Sequence, residues 1–176
     1  GFPEHHAVSP AALERHRRLV QALKQQGKGA LPARWRGADL ERVWNFDTPL
    51  DEVLRACDTV GAVALDAAGR FAVAGSTGGS WPMLRGRVGD TPIAGAGFFA
   101  GEHGAVACTG AGEEIMRRTL AREIYQMLAL GAHPQAACEA GVALMPKDVE
   151  VGAIAISRAG HGAAARQPMA WSAMAE

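Results

Sequence analysis

The sequence predicts an α+β fold built mainly of antiparallel strands, on three observations. Short, apolar, β-rich runs stand in pairs around turn residues. Thr59–Asp66 and Phe71–Ala74 flank Ala67-Ala-Gly-Arg70, and Val151–Ser157 and His161–Ala165 flank Arg158-Ala-Gly160. One long segment, Glu113 to Leu130, repeats its apolar residues at helical spacing through Met116, Leu120, Ile124, Met127 and Leu128. The strand candidates are also rich in glycine and alanine, which lets helices pack close to a sheet.

In chain order, Ser9-Pro10 reads as a helix N-cap followed by proline in the first turn. Leu13, His16, Val20 and Leu23 then recur every three or four residues until Gly27 supplies a stop. Residues 28–57 mix Gly, Pro and Arg with broken apolar patches and read as an exposed linker, with one short helix from Pro49 to Arg55. The first hairpin follows. A glycine-rich loop is then expected from Gly75 to Pro92, with strands at about Gly95–Ala100 and Gly104–Thr109. Glu113 and Glu114 suit the positive end of the long helix. Pro134–Met145 reads as a further helix, the second hairpin comes next, and Met169–Met174 reads as a last strand. There are no internal repeats.

At 176 residues the chain holds one ordinary domain with a real core. Lys+Arg and Asp+Glu number 18 each, and this balance implies no polyanionic partner such as nucleic acid. The basic stretch from Arg15 to Arg36 reads as a solvated helix and linker. Cys57, Cys108 and Cys138 form no C-x-x-C and cannot all pair within one chain, which predicts a reduced, cytoplasmic setting. The stretch Gly1-Phe-Pro-Glu-His-His reads as no signal peptide, and no apolar span approaches the roughly 20 residues of a membrane helix. The histidines lack metal-ligand spacing, so no metal and no cofactor are expected. Gly110-Ala-Gly112 faintly echoes a dinucleotide fingerprint, but Ile115 stands where its third glycine belongs. Cys108 reads as a small buried apolar group, and the methionines as core filler.

The chemistry concentrates at Asp58-Thr59, where an acidic residue precedes a threonine at the head of a strand. A cut before Thr59 would give that residue a free α-amine beside its own hydroxyl. A threonine hydroxyl is a weak nucleophile until a base adjoins it, and an N-terminal amine is one such base. An α-amine titrates near pH ~7.7–8.0, so a useful fraction is neutral at physiological pH. Downstream lie Ser76-Thr-Gly-Gly79, Gly86-Arg-Val-Gly-Asp-Thr-Pro92, Gly95-Ala-Gly97 and Cys108-Thr-Gly-Ala-Gly-Glu-Glu114. From Thr59, Thr77 is 18 residues on, Arg87 is 28 on and Asp90 is 31 on.

In order and spacing these motifs resemble the threonine-type N-terminal nucleophile hydrolases. That family joins plant-type L-asparaginases, isoaspartyl peptidases and glycosylasparaginases. The strong resemblance runs from Asp58 to about Leu130 and continues more weakly to the C-terminus. It implies an αββα sandwich, partial in this chain because family precursors carry a much longer segment before the nucleophile than the 58 residues here. Residues 1–58 would be the end of an α segment with its linker to the cleavage site, and residues 59–176 the β segment. The chain thus resembles a precursor lacking its N-terminal half, and the full-length protein would assemble as (αβ)2.

The resemblance implies an amidohydrolase acting on a small amino-acid substrate. Thr59 Oγ would attack the Asp58 carbonyl, release the two segments through an ester, and then attack the side-chain amide of a substrate. Thr77 would hydrogen-bond Thr59 and orient it, with Ser76 supporting from the adjacent position. Thr109 and the backbone N–H of Gly110 would hold the oxyanion. Arg87 would clamp the substrate α-carboxylate, a task that suits a guanidinium fork, and Asp90 would hold the α-ammonium. Taken singly, Arg87 reads as a surface loop arginine, Asp90 as a turn residue before Thr91-Pro92, and Thr77 as part of a polar turn. Together at this spacing they point to a site. The implied substrate is L-asparagine or a β-aspartyl dipeptide. A glycosylated asparagine is the alternative, favoured by Asp58 and residues 1–26. A third reading, of another class, is an uncleaved, inactive homologue that survives as a binding domain.

Overall fold

The computed structural model describes residues 57–80 and 86–174, together with Glu14, Arg18, Gln21 and Gln25. Those four positions are helical and exposed, in keeping with a helix between Ser9 and Gly27. The linker and the short helix at Pro49–Arg55 lie outside the described residues. The chain divides into two compact units, residues 1–58 with 78–87 and residues 59–77 with 88–176. The second unit contains a hairpin, a four-stranded sheet and three helices.

Strands β1 (Cys57–Leu65) and β2 (Phe71–Ser80) form a two-stranded sheet. Their turn closes through Asp66 N–H to Arg70 O and Gly69 N–H to Asp66 O, with Gly69 at φ 78°. The expected loop after Ala74 is therefore strand as far as Ser80. Its run of glycines carries no large side chains, but the backbone continues the ladder begun at Phe71.

A second sheet runs in the order β3–β4–β5–β6, from β3 (Phe98–Gly101), β4 (Gly104–Gly110), β5 (Val151–Ser157) and β6 (Gly160–Ala165). Every pairing is antiparallel, with Thr109 opposite Gly152 and Ile156 opposite His161. Alternation along the strands gives two faces. Val106, Cys108, Val151, Ala153 and Ala155 point into the core, where they meet Ile115, Leu120, Ile124 and Cys138. Ala107, Thr109, Gly152, Ile154 and Ile156 point the other way, toward the hairpin. Gly61 marks that contact, since a Cβ there would lie 2.9 Å from Ala107 Cβ. Arg158, at the β5–β6 turn, ties the far end by donating to Glu102 O at 2.8 Å and Gly69 O at 3.1 Å.

The long helix predicted over Glu113–Leu130 is two helices, α1 (Gly112–Arg118) and α2 (Leu120–Ala129). Thr119 separates them in the left-handed region, at φ 46° and ψ 51°. The break has a cause in the loop that the sequence suggested as the start of a strand. Ala121 N–H donates to Ala96 O and Arg122 N–H to Gly95 O, so the unpaired amides of the first turn of α2 are satisfied by that loop. Gly97 lets the same loop pass against Asp90, where a Cβ would come within 2.4 Å of the Asp90 carbonyl oxygen.

Helix α3 (Pro134–Ala143) starts at His133, whose Nδ1 accepts from Gln135 N–H. It lies so close to β6 that a Cβ on Gly162 would fall 2.2 Å from Gln135 N. The Gln135 side-chain amide closes the open edge of β6, accepting from Ala163 N–H and donating to Ala163 O. Beyond β6, Met169–Met174 is not a strand: it has no regular structure. The described unit has three layers, helices, four-stranded sheet and hairpin. This is the α+β architecture expected, with three of the four sandwich layers.

Candidate active site

Thr59 and Thr77 face each other across the hairpin, with Oγ1 atoms 3.0 Å apart. Either hydroxyl is able to donate. Thr59 is half-buried and Thr77 exposed, so the pair stands at a surface rather than in the core. Ser76, the next residue along the strand, presents its side chain to the opposite face. The extension of β2 past Ala74 is what brings Thr77 here.

Thr109 is the next-to-last residue of β4, on the face turned toward the hairpin, and is half-buried. It shares with Thr59 a cavity of about 640 Å³ between β1, the second sheet and residues 169–174. Gly110 follows at φ 132°, where a Cβ would collide with Glu150 O at 2.2 Å, so only glycine ends the strand in this way. The chain then turns directly into α1.

Asp90 is buried, and its backbone carbonyl accepts from Ile93 N–H and Gly97 N–H. Its carboxylate lies against the first turn of α1, where a Cβ on Gly112 would meet Oδ1 at 2.5 Å. That contact explains the second glycine of Gly110-Ala-Gly112 without any nucleotide. Arg87 is half-buried and belongs to the segment grouped with the first unit. Asp58 lies in β1, and its side chain is outside those described.

Cys108 adjoins Thr109 but points into the core. Burial raises its thiol pKa well above the usual range, aided by Cys138 and Asp90. It is an inert packing group, as the sequence suggested. Among the described residues, no three His, Cys, Asp or Glu side chains converge as metal ligands.

A family model for asparaginases matches residues 8–176. The chain belongs to the asparaginase family. Over 148 residues it is 39% identical to the plant-type L-asparaginase of Pyrococcus horikoshii, covering 84% of this chain and 44% of that protein. It is 38% identical over 115 residues to an N(4)-(β-N-acetylglucosaminyl)-L-asparaginase of Elizabethkingia miricola, covering 59% of this chain and 34% of that one. It is 51% identical over 74 residues to a putative isoaspartyl peptidase/L-asparaginase of Dictyostelium discoideum, covering 42% and 21%. The matched stretch thus spans less than half the length of these relatives.

In this asparaginase-family chain the residues that sequence reasoning missed are the cavity walls contributed by Met169–Met174. One signal was available. Arg166-Gln167-Pro168 contains no Gly, Asn or Asp to turn the chain back onto β6, so a paired strand after it was disfavoured.

Proposed function

We propose that this chain is the catalytic part of an amidohydrolase that cleaves itself before Thr59 and hydrolyses the side-chain amide of L-asparagine or a β-aspartyl dipeptide. The observation that carries the reading is the 3.0 Å approach of the Thr59 and Thr77 hydroxyls, with Thr59 lining a cavity that Thr109 also lines. Membership of a family whose relatives bear asparaginase and isoaspartyl peptidase names supports it.

In the proposed maturation, Thr59 Oγ attacks the Asp58 carbonyl carbon and the C–N bond of that peptide breaks. The ester formed is hydrolysed by water, which leaves a carboxyl group on Asp58 and an amine on Thr59. Residues 1–58 and 59–176 become separate segments. In turnover the Thr59 amine takes the hydroxyl proton while Oγ attacks the substrate's β-carbonyl carbon. The leaving ammonia or amine takes that proton, and water then hydrolyses the aspartyl ester, restoring the hydroxyl.

Thr77 positions Thr59. Thr109 Oγ1 and the Gly110 N–H are assigned to the oxyanion, for which one donor is worth roughly 2.7–4 kcal/mol. Arg87 and Asp90 are assigned to the substrate's α-carboxylate and α-ammonium on their sequence spacing. We place the protein in the cytoplasm, as an (αβ)2 assembly.

Intact-mass analysis with N-terminal sequencing tests the proposal. Two fragments, the second beginning at Thr59, are expected, and Thr59→Ala is expected to stop both cutting and turnover. A single uncut chain after long incubation would overturn it in favour of an inactive homologue.

A further inference from the structure

We infer that Met169 and Trp171 form a subsite for an apolar leaving group, so that the preferred substrate is a β-aspartyl peptide whose second residue is apolar. The inference rests on the amidohydrolase reading of Thr59 and specifies its substrate.

The cavity shared by Thr59 and Thr109 measures about 640 Å³. That lies within the range of about 300–1,000 Å³ typical of pockets for drug-sized ligands, and exceeds what ammonia as the leaving group requires. Its direction follows from the layers. Gly61 rests on Ala107, and the Gly69 turn is tied through Arg158 to the β5–β6 turn. Hence β1 runs from the Thr109 end of the sheet toward the Ser157 end. The segment after β6 runs the same way. Met169 begins it beside Thr109, for a Cβ on Gly152 would meet Met169 Sδ at 2.5 Å and Thr109 Cγ2 at 3.2 Å. Trp171 continues it to His161, with ring centroids 6.2 Å apart. His161 is four residues from Ala165 along β6, or about 13 Å. A group leaving from Thr59 into this cavity meets Met169 first and Trp171 farther out.

The lining chemistry then selects. Ala107, Ile154 and Ile156 floor the cavity, and among the described lining residues polar side chains are confined to Thr59, Thr109, His161 and Ser172. A sugar leaving group would give up water around its hydroxyls for a wall with few partners, which is costly. An apolar side chain gains by the same transfer. Trp171 is 54% exposed, so its indole has apolar surface still to cover.

The test is kcat/KM for β-aspartyl-leucine, β-aspartyl-serine and glycosylated asparagine, with the wild-type protein, Met169→Gln and Trp171→Ala. Wild type is expected to favour the leucine over the serine peptide by about tenfold or more, the scale on which apolar pockets discriminate. Met169→Gln is expected to remove most of that ratio, and Trp171→Ala part of it. Equal handling of the two peptides by wild type, or a ratio untouched by both substitutions, would overturn the inference. Calorimetric binding of the same peptides to uncleavable Thr59→Ala scores the subsite without chemistry. A leucine preference there that Met169→Gln abolishes, with no hydrolysis by wild type, would uphold the subsite while sinking the amidohydrolase reading. Equal binding of the two peptides would sink the subsite itself.

Discussion

Thr77→Val isolates what the hydroxyl pair contributes. Valine keeps the shape and the β-branching that suit a strand, so β2 should persist. Thr77 is exposed, and a surface substitution of this kind shifts stability by no more than about 0.5 kcal/mol. The loss includes the neutral O–H···O contact of 3.0 Å to Thr59. Such a bond is worth about 0.5–1.5 kcal/mol net. At 1.36 kcal/mol per factor of ten, that is a slowing of about 2- to 13-fold if Thr77 only orients the nucleophile. A group that itself moves the proton contributes about 10²- to 10⁴-fold, so the two windows do not overlap: one ends at about 13-fold and the other begins at about 100-fold. The assay is single-turnover hydrolysis of a β-aspartyl dipeptide, with the rate of chain cutting measured in parallel. Slowing within the lower window and an unchanged melting temperature would support the positioning role. A rate indistinguishable from wild type would refute the contact's importance. A loss beyond about 100-fold would exceed what orientation supplies and make Thr77 a relay that passes the Thr59 hydroxyl proton to the amine.

Two predictions concern the frame around the site. The Arg166 guanidinium donates to the carbonyls of Val142, Met145 and Val149 at 2.8, 3.1 and 2.9 Å, and also to Pro146 O, at the C-terminal end of α3. Arg166→Met leaves those acceptors to water and should cost about 2–3 kcal/mol in urea unfolding, near one charge-assisted contact rather than the sum of four, because the group is half-exposed. A loss below about 0.5 kcal/mol, the size of an ordinary surface change, would show that water serves equally well. Burial pushes the Cys138 thiol up to about 12, with Glu139 adding to the shift. Since the folded value lies above the unfolded one, stability is intact below pH ~8.5–9 and falls as pH rises toward 12, by about 1.36 kcal/mol per unit for this group. Between pH 8 and 10.5, wild type should lose about 2 kcal/mol more than Cys138→Ala, and parallel losses in the two proteins would refute the cause.

The hairpins and helices were legible because their signals are local. A turn such as Ala67-Ala-Gly-Arg70 between alternating runs needs no tertiary information. Thr59 and Thr77 were legible as a pair only through the spacing of the family's motifs, since nothing between them says that β2 extends through Gly75 and Gly78 to meet β1. Glycine in a strand is disfavoured by propensity, and the ladder overrides it. The break at Thr119 was hidden for a similar reason. The apolar stripe crosses it without interruption, and its cause lies in the carbonyls of Gly95 and Ala96, more than twenty residues away. The strand expected at Met169–Met174 does not form because Met-Ala-Trp-Ser-Ala-Met satisfies strand composition while the approach to it lacks a turn. What this segment covers depends on the face of β5, which no local pattern reveals.

The same small residues account for both the tight layer and the open one. On the helix side of the second sheet, glycine at 104 and 162 allows close approach, since a Cβ would come within 2.7 Å of Leu128 Cδ1 or 2.2 Å of Gln135 N. On the hairpin side, alanine and glycine at 107 and 152 bring little volume of their own, and the hairpin contributes Gly61 rather than a large side chain. Two sheets normally pack about 10 Å apart with side chains filling the gap. Here small residues on both faces leave part of that gap as the cavity into which Thr59 and Thr109 open. Enlarging a residue on the helix side would therefore strain the core, and Ala107→Leu would likewise press on Gly61, where even a Cβ would lie 2.9 Å from Ala107 Cβ. The composition that makes the strands look weak thus places an accessible hydroxyl pair beside a cavity without opening the core.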